Sequence, residues 1–423
     1  MTTVIAFICM FGVLVFIHEW GHLIFAKRAG MLAREFAIGF GPKMFSFVRN
    51  ETVYTIRWLP IGGYVRVAGD DPEIIEIKPG HHIGVTFNDQ GKVDQIIVNH
   101  KEKHPNAHLI EVSEVDLDHA LTIKGYEPDD ETELQEFAVH EKASFIVDEQ
   151  ATQIAPFDRQ FASKSVGQRA MQLFAGPMMN FIMAIILFII IGLVQGVPSD
   201  KAEIGEVEED TPAQEAGLHG GDEVIEVDGQ TVATWKEFTA FIQKHPDEEV
   251  EFLVERDGET KELEITPAAI ENPEDPDGSK IGQVGVAPLI EKSVFKSLQW
   301  GVTKSYDTAK MILNSLFMLV TGQLSLDALS GPVGIYDVTD QVVSYGFISY
   351  LTLTAVLSVN LGIINLVPLP ALDGGRLLFV GIEAVRGKPV DPQKEGMVHV
   401  IGIALLMLLM IVVTWNDIQR LFS

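Results

Sequence analysis

The sequence predicts a polytopic α-helical membrane protein with four transmembrane helices, a β-hairpin lying against the membrane and a soluble α+β domain on the far side. Three observations carry this prediction. Four apolar runs reach about the 20 residues needed to cross a hydrocarbon core. The acids are segregated, with 47 of the 59 in residues 70–160 and 197–295. Lysines and arginines gather beside the apolar runs, where they set orientation.

Composition narrows the function classes. A chain of 423 residues has room for two or three domains. A formal charge of −28 excludes a nucleic-acid binder, because phosphate recognition rests on clustered Lys and Arg. The single cysteine, Cys9, excludes an intramolecular disulfide framework and a thiolate-rich structural zinc site.

The first span, residues 1–26, carries no charged side chain up to residue 17, and its run Val4 to Phe25 is interrupted only by His18, Glu19 and His22. No basic segment precedes this run and no small-x-small site follows it, so it reads as a retained span rather than a cleaved leader. The second span, 170–197, is free of charge from Leu173 onward. The third, within 346–383, has the apolar run Phe347 to Val367 and then a broken segment; the fourth, 397–416, contains Ile401 to Val413. Lys27, Arg28, Arg34 and Lys43 follow span one, Lys164 and Arg169 precede span two, and Arg376, Arg386, Lys388 and Lys394 lie between spans three and four. The positive-inside rule makes these connections cytoplasmic, with both termini and residues 198–345 outside a cell membrane.

Within the region 27–71, Thr52 to Leu59 is rich in β-branched and aromatic residues, Pro60-Ile61-Gly62-Gly63 interrupts it, and Tyr64 to Val67 resumes. This predicts a membrane-associated β-hairpin within 52–67. The acidic insertion 72–160 shows alternating runs such as Val93 to Val98 and predicts a small, mostly β module. Its His81, His82, His100, His104 and His108 have no thiolate companions and read as solvated side chains.

In the outer segment 198–290, strands are expected at Ile204–Val207, Asp222–Val227, Val250–Glu255 and Glu259–Ile265, a helical turn at Ala213–Leu218 and a helix near Trp235–Lys244. The order Thr211-Pro212-Ala213, Ala216-Gly217-Leu218, Gly221-Asp222, Asp228-Gly229 and Trp235 resembles a bacterial PDZ domain, which accepts a peptide as an added strand. This completes the fold class with an extracytoplasmic α+β PDZ-like domain. Residues 294–345 follow: Phe295 to Val320 has helical apolar spacing but too short an apolar end to cross, predicting an interfacial amphipathic helix, and Gly331-Pro332-Val333-Gly334 reads as a break.

The chemistry sits at His18-Glu19-Trp20-Gly21-His22. On a helix, histidines four apart share a face and can ligate one Zn²⁺, while Glu19, rotated by about 100°, can reach a water beside the metal. Three ionisable groups inside an apolar span are expensive to bury and point to function. A catalytic zinc site usually takes three protein ligands. Asp373 is the first acid after the third apolar run, and Pro368 and Pro370 force irregular backbone there, which is tolerated at depth only where it is buried or lines a watery cavity.

His18-Glu19-Trp20-Gly21-His22 in span one together with Asn365, Pro368, Pro370 and Leu372-Asp373-Gly374 in span three resembles the site-2 protease family of intramembrane zinc metalloproteases (M50), in its bacterial form with a single PDZ domain. Ala175-Gly176-Pro177-Met178-Met179-Asn180 and Gly331-Pro332-Val333-Gly334 resemble family signatures as well. The resemblance implies that His18, His22 and Asp373 hold Zn²⁺, that Glu19 is the general base and that Asn365 holds or orients the substrate strand. It also implies that the 52–67 loop pairs with an unwound substrate; the expected contact is an edge of 52–67 that takes the substrate as an added strand, with Val53, Ile56, Gly62 and Gly63. Expected substrates are single-span membrane proteins already trimmed outside, such as anti-sigma factors, and remnant signal peptides. The rival reading is a non-catalytic membrane scaffold that works through the PDZ-like groove and has no need of Glu19.

Overall fold

The computed structural model describes residues 2–70, 77–127, 130–272, 279–325 and 328–422. They fall into two compact units, residues 1–184 with 307–423, and residues 185–306. Among the described residues four helices are long and apolar enough to cross a membrane: Thr3–Arg28, Val166–Gln195, Phe347–Leu366 and Gln393–Arg420.

In the first unit, α1 (Thr2–Arg28) ends with Lys27 and Arg28 in its last turn, where cations complement the helix dipole. Two long strands follow, β1 (Ala33–Arg49) and β2 (Thr52–Val67). They are joined at Asn50-Glu51, whose φ angles of 49° and 62° are those of a tight hairpin turn. The hairpin predicted within 52–67 is corrected in its pairing: the chain reverses there, but residues 53–56 and 63–66 are not partners, because residues 35–38 lie between them, parallel to the first and antiparallel to the second. Two further glycine-marked segments reverse the chain, 39–42 with Gly39 and Gly41 at φ of 87° and 86°, and 58–63 with Gly62 at φ of 73°, whereas the turn at Asn50-Glu51 carries no glycine to mark it. Arg49 back to Lys43 pairs with Thr52 to Arg57. Nearer α1, residues 35–38 lie between Val53–Ile56 on one side and Gly63–Arg66 on the other. The result is a curled sheet whose outer segments are 43–49 and 63–67, with Phe40, Phe45, Phe47 and Trp58 exposed upon it.

The insertion consists of β3 (His82–Phe87), β4 (Val93–Ile97), β5 (His108–Asp116), β6 (Thr122–Glu127), β7 (Asp130–Val147) and β8 (Gln150–Gln153). Strand β4 pairs with both β3 and β7, so five strands close on themselves and bury Ile83, Val85, Ile96, Ile110 and Phe145. His100 faces Glu102 and Asp148 at exposed positions, and His108 faces Glu127 at a half-buried one. Arg159 donates twice to the Glu51 carboxylate at the β1–β2 turn, and Gln153 donates once, which anchors the hairpin tip on this barrel. The Arg159 hydrogen bonds hold the Glu51 carboxyl down to about 2. The long helix α2 (Val166–Gln195) then contains Pro177.

The second unit has β9 (Val197–Pro198), β10 (Ile204–Val207), α3 (Pro212–Glu215), β11 (Glu223–Val227), β12 (Gln230–Thr231), α4 (Trp235–Ile242), β13 (Val250–Arg256), β14 (Glu259–Ile265), β15 (Ala268–Glu271), β16 (Lys280–Gln283), β17 (Val286–Pro288) and β18 (Ile290–Glu291). Each expected element of the PDZ-like unit is present. Its sheet runs β12-β11-β13-β14, and β10 pairs with β17. Val224, Phe238, Phe252 and Val254 fill the core. A capping box between Thr234 and Glu237 starts α4, satisfying two backbone donors at its N-terminus. Helix α5 (Val294–Val320) follows.

The remaining helices are α6 (Pro332–Ser344), α7 (Phe347–Leu366), α8 (Asp373–Arg386) and α9 (Pro392–Phe422). Gly331-Pro332-Val333-Gly334, predicted as a break, instead opens α6, with Pro332 in the first turn where its missing N–H costs nothing. The buried Asp417 carboxylate from α9 accepts from the N–H groups of Gly331 and Gly334, both at 2.9 Å, and so caps α6 from outside.

Candidate metal centre and active site

Helix α1 places His18 and His22 one turn apart on one face, both buried. Their Nε2 atoms are 3.3 Å apart, and Asp373 Oδ2 lies 3.2 Å from the first and 3.3 Å from the second. Three donor atoms thus form a nearly equilateral triangle. A tetrahedral zinc with bonds of about 2.0–2.1 Å sets neighbouring donors roughly 3.3–3.4 Å apart, so the spacing fits. Asp373 Oδ2 is buried without a hydrogen-bond partner, an orphaned acceptor that a cation would satisfy. Among the described residues this is the one group of three ligating side chains that converges.

Helix α2 supplies the support. His22 Nδ1 is 2.8 Å from Gln172 O, which fixes the proton on Nδ1 and leaves Nε2 free to ligate. Pro177 cannot donate to Leu173 O and loosens the turn beside that carbonyl. His18 Nδ1 is 3.2 Å from the side-chain amide of fully buried Asn180, whose Oδ1 has no partner when Nδ2 faces the ring. Turning that amide over makes Oδ1 the acceptor of a His18 Nδ1–H, satisfies the oxygen and frees His18 Nε2. The Ser358 hydroxyl of α7 donates to Asn180 O at 2.8 Å and ties the third helix in. Gly176, one turn before Asn180, lets α2 approach: a Cβ there would stand 2.3 Å from His22 Nε2 and 2.8 Å from His18 Cε1. Gly21 plays the reciprocal part on α1, where a Cβ would stand 2.3 Å from Ala175 O.

The predicted irregularity before Asp373 is present. Helix α7 stops at Leu366, residues 367–372 are non-helical, Ala371 has φ of 75°, and α8 begins at Asp373. Gly374 and Gly375 let α8 fold against the break, since a Cβ on either would fall within 2.3 Å of the Leu366 or Leu369 carbonyl oxygen.

Glu19 is buried beside the β2 bend, where a Cβ on Gly63 would stand 2.9 Å from Glu19 Cγ. Gly62, with φ of 73°, supplies the left-handed backbone of that bend. The structure therefore brings His18, Glu19, His22, Asp373 and Gly63 together. Asn365 donates its amide to Leu361 O at 3.0 Å, one turn back on its own helix. Val53 and Ile56 are corrected as open-edge positions: Val53 pairs with Glu35 and Val48, and Ile56 with Ile38 and Phe45, so neither has a free side. The supporting Gln172, Gly176 and Asn180 lie in or beside the segment 175–180; the four-residue spacing of Gly176 and Asn180 on one helix face was the available signal for two of them.

The pattern of peptidase family M50 matches residues 6–409. The chain is 62% identical over its full length, and over all of the relative, to a protein named zinc metalloprotease RasP from Oceanobacillus iheyensis. It is 52% identical, over 99% of each chain, to one named regulator of sigma-W protease RasP from Bacillus subtilis. A solved PDZ domain of an SdrC-like protein from Listeria innocua is 29% identical over 22% of this chain and 97% of its own, with a TM-score of 0.18. With a family match over nearly the whole sequence and relatives matched end to end, the chain belongs to peptidase family M50 and is a zinc metalloprotease.

Proposed function

We propose that this metalloprotease cleaves the transmembrane segments of single-span membrane proteins, with His18, His22 and Asp373 holding zinc and Glu19 as general base. The observation that carries this reading is the triangle of buried donor atoms set inside helices apolar enough to span a membrane. The charge pattern supports cytoplasmic connections between spans one and two and between spans three and four, hence extracytoplasmic termini and PDZ-like unit. The exposed Phe40, Phe45, Phe47 and Trp58 suit a sheet that rests in the bilayer.

When bound, zinc supplies Lewis-acid polarisation of the scissile carbonyl and of the attacking water. Glu19 takes the proton of that water on a carboxylate oxygen and delivers it to the leaving amine nitrogen. Gln172 and Asn180 keep the Nδ1 protons of His22 and His18 in place, so that both Nε2 lone pairs face the site. Gly63 keeps β2 close enough to Glu19 to exclude bulk water on that side.

A substrate helix hides its carbonyls in internal hydrogen bonds and must unwind before attack. The outer segment 63–67, adjoining Glu19, is the better capture edge than Val53 or Ile56, with Asn365 assisting from the α7 end. In a Cys9→Ser background, Arg66→Cys should form a disulfide with a cysteine near the cut in the substrate, whereas Val53→Cys should not. Equal cross-linking at both would remove the edge assignment.

The name of the Bacillus subtilis relative supports an anti-sigma factor as substrate; prior trimming on its outer side is part of this proposal, and remnant signal peptides share the same single-span chemistry. The PDZ-like unit would act as a filter on the outer end. Deletion of residues 201–285 should allow untrimmed substrates to be cut; strict dependence on trimming in the deletion variant would count against the filter.

The direct test uses purified protein and a single-span substrate shortened on its outer side. Chelation should abolish cleavage and stoichiometric zinc should restore it. Cleavage that survives complete metal removal would refute the reading.

A further inference from the structure

At membrane depth an irregular segment is tolerated only where its backbone groups find partners in protein or in a water-filled cavity. The break before Asp373 can be accounted for donor by donor. Val367 N–H donates to Ile364 O, Leu369 N–H to Val367 O and Leu372 N–H to Leu369 O; Pro368 and Pro370 have no N–H. Ala371 is the exception. Its N–H leaves the segment and donates to Nδ1 of His399, on α9, at 3.0 Å. Ala371 is also the residue held at φ of 75°, a conformation that costs an L-residue energy and persists only where the surroundings impose it.

A second contact from α9 acts on the same segment. Gly402, just under one turn after His399, is buried against Pro370, and a Cβ there would stand 2.3 Å from Pro370 Cβ and 2.7 Å from Pro370 O. His399 and Gly402 therefore grip two consecutive residues of the break, and the chain reaches Asp373 only two residues later. His399 accepts through Nδ1, so its proton sits on Nε2, which is buried 3.8 Å from Glu395 Oε1 and makes no hydrogen bond, and its ring lies 5.7 Å from that of Phe379 on α8. The imidazole thus packs against the helix that Asp373 begins.

We propose that the fourth span is a clamp on the third metal ligand: His399 is a positioning residue that holds Ala371 in its left-handed conformation, and Gly402 seats Pro370 so that Asp373 Oδ2 meets His18 and His22. The effect on zinc rests on the reading of Asp373 as a ligand, but the clamp itself is visible in the backbone without metal.

The test compares His399→Leu, which suits an apolar helix and removes the acceptor, with His399→Asn, whose Oδ1 can stand where Nδ1 stood. In the metal-free full-length protein in detergent, hydrogen exchange of the 367–372 peptide should accelerate at least about tenfold in His399→Leu and stay near wild type in His399→Asn. In the zinc-bound protein, zinc affinity should fall about 10–100-fold in His399→Leu, the range seen when a group orienting a ligand is lost, with the Asn variant near wild type. Gly402→Val should mimic His399→Leu. Unchanged exchange in His399→Leu, or equal acceleration in the Leu and Asn variants, would overturn the clamp. Asp373→Ala separates the two readings: zinc retained there overturns the ligand assignment, while the exchange result decides the clamp on its own.

Discussion

Replacing Glu19 with glutamine is expected to lower cleavage by about 10²–10⁴-fold while bound zinc stays at the wild-type level. Glutamine keeps the length and shape of the side chain, so its packing against the β2 bend at Gly63 is preserved. It cannot take a proton from water, so the loss falls on the chemical step. The rate of cleavage of a shortened single-span substrate and the zinc content of the same purified sample measure the two halves of this expectation. Wild-type turnover in Glu19→Gln would move the general base elsewhere, and absence of cleavage in both proteins, with no zinc bound, would revive the scaffold reading.

The second large effect is expected from a single methyl group. Gly176→Ala puts a Cβ on α2 where 2.3 Å separates it from His22 Nε2, the atom assigned to the metal, and 2.8 Å from His18 Cε1. Neither contact is possible without displacement. Either ring must rotate away from Asp373 or α2 must retreat from α1, against the close fit of Gly21 on the Ala175 carbonyl. Zinc affinity should fall about 100-fold or more, with cleavage lost in parallel; loss of ligand orientation alone accounts for 10–100-fold. Gly167→Ala is the matched control, since the same helix leaves open space there. Equal zinc in the two variants would show that the crevice relaxes and that Gly176 is not needed for the metal.

These two expectations differ in origin. Glu19 stands out in the sequence because its neighbours at 18 and 22 form a local pattern, and a helix converts a spacing of four into a shared face without help from the rest of the chain. Gly176 is marked in the sequence only by its place in the segment 175–180 and its four-residue spacing from Asn180. Its necessity comes from a distance between two helices, which no local pattern encodes. Asn180 is similar: a buried amide in a helix can serve packing or polarity, and only its 3.2 Å approach to His18 shows which group it supports.

The β1–β2 sheet shows the opposite failure. Residues 52–67 were recognisable as β-forming from Val53, Tyr54, Thr55 and Ile56, but strand propensity carries no register. The turn at Asn50-Glu51 has no glycine, and nothing local shows that the chain also reverses at Gly39 to Pro42 and lays residues 35–38 between 53–56 and 63–66. Reading Val53 and Ile56 as an open edge failed because residues 35–38 pair along their far side.

By itself the sequence determined the four apolar helices, the acidic soluble parts, the order of elements in the PDZ-like unit, the paired histidines with Glu19, and Asp373 behind a helix break. Those features depend on runs, periodicities and residue chemistry within about 20 positions of one another. The tertiary structure alone decided that Asp373, 351 residues after His22, closes the triangle, that Gln172, Gly176 and Asn180 cradle the histidines, and that α9 grips the break. Each of these is a contact between elements distant in sequence, set by how closely glycines let helices approach and by where buried backbone groups find their partners.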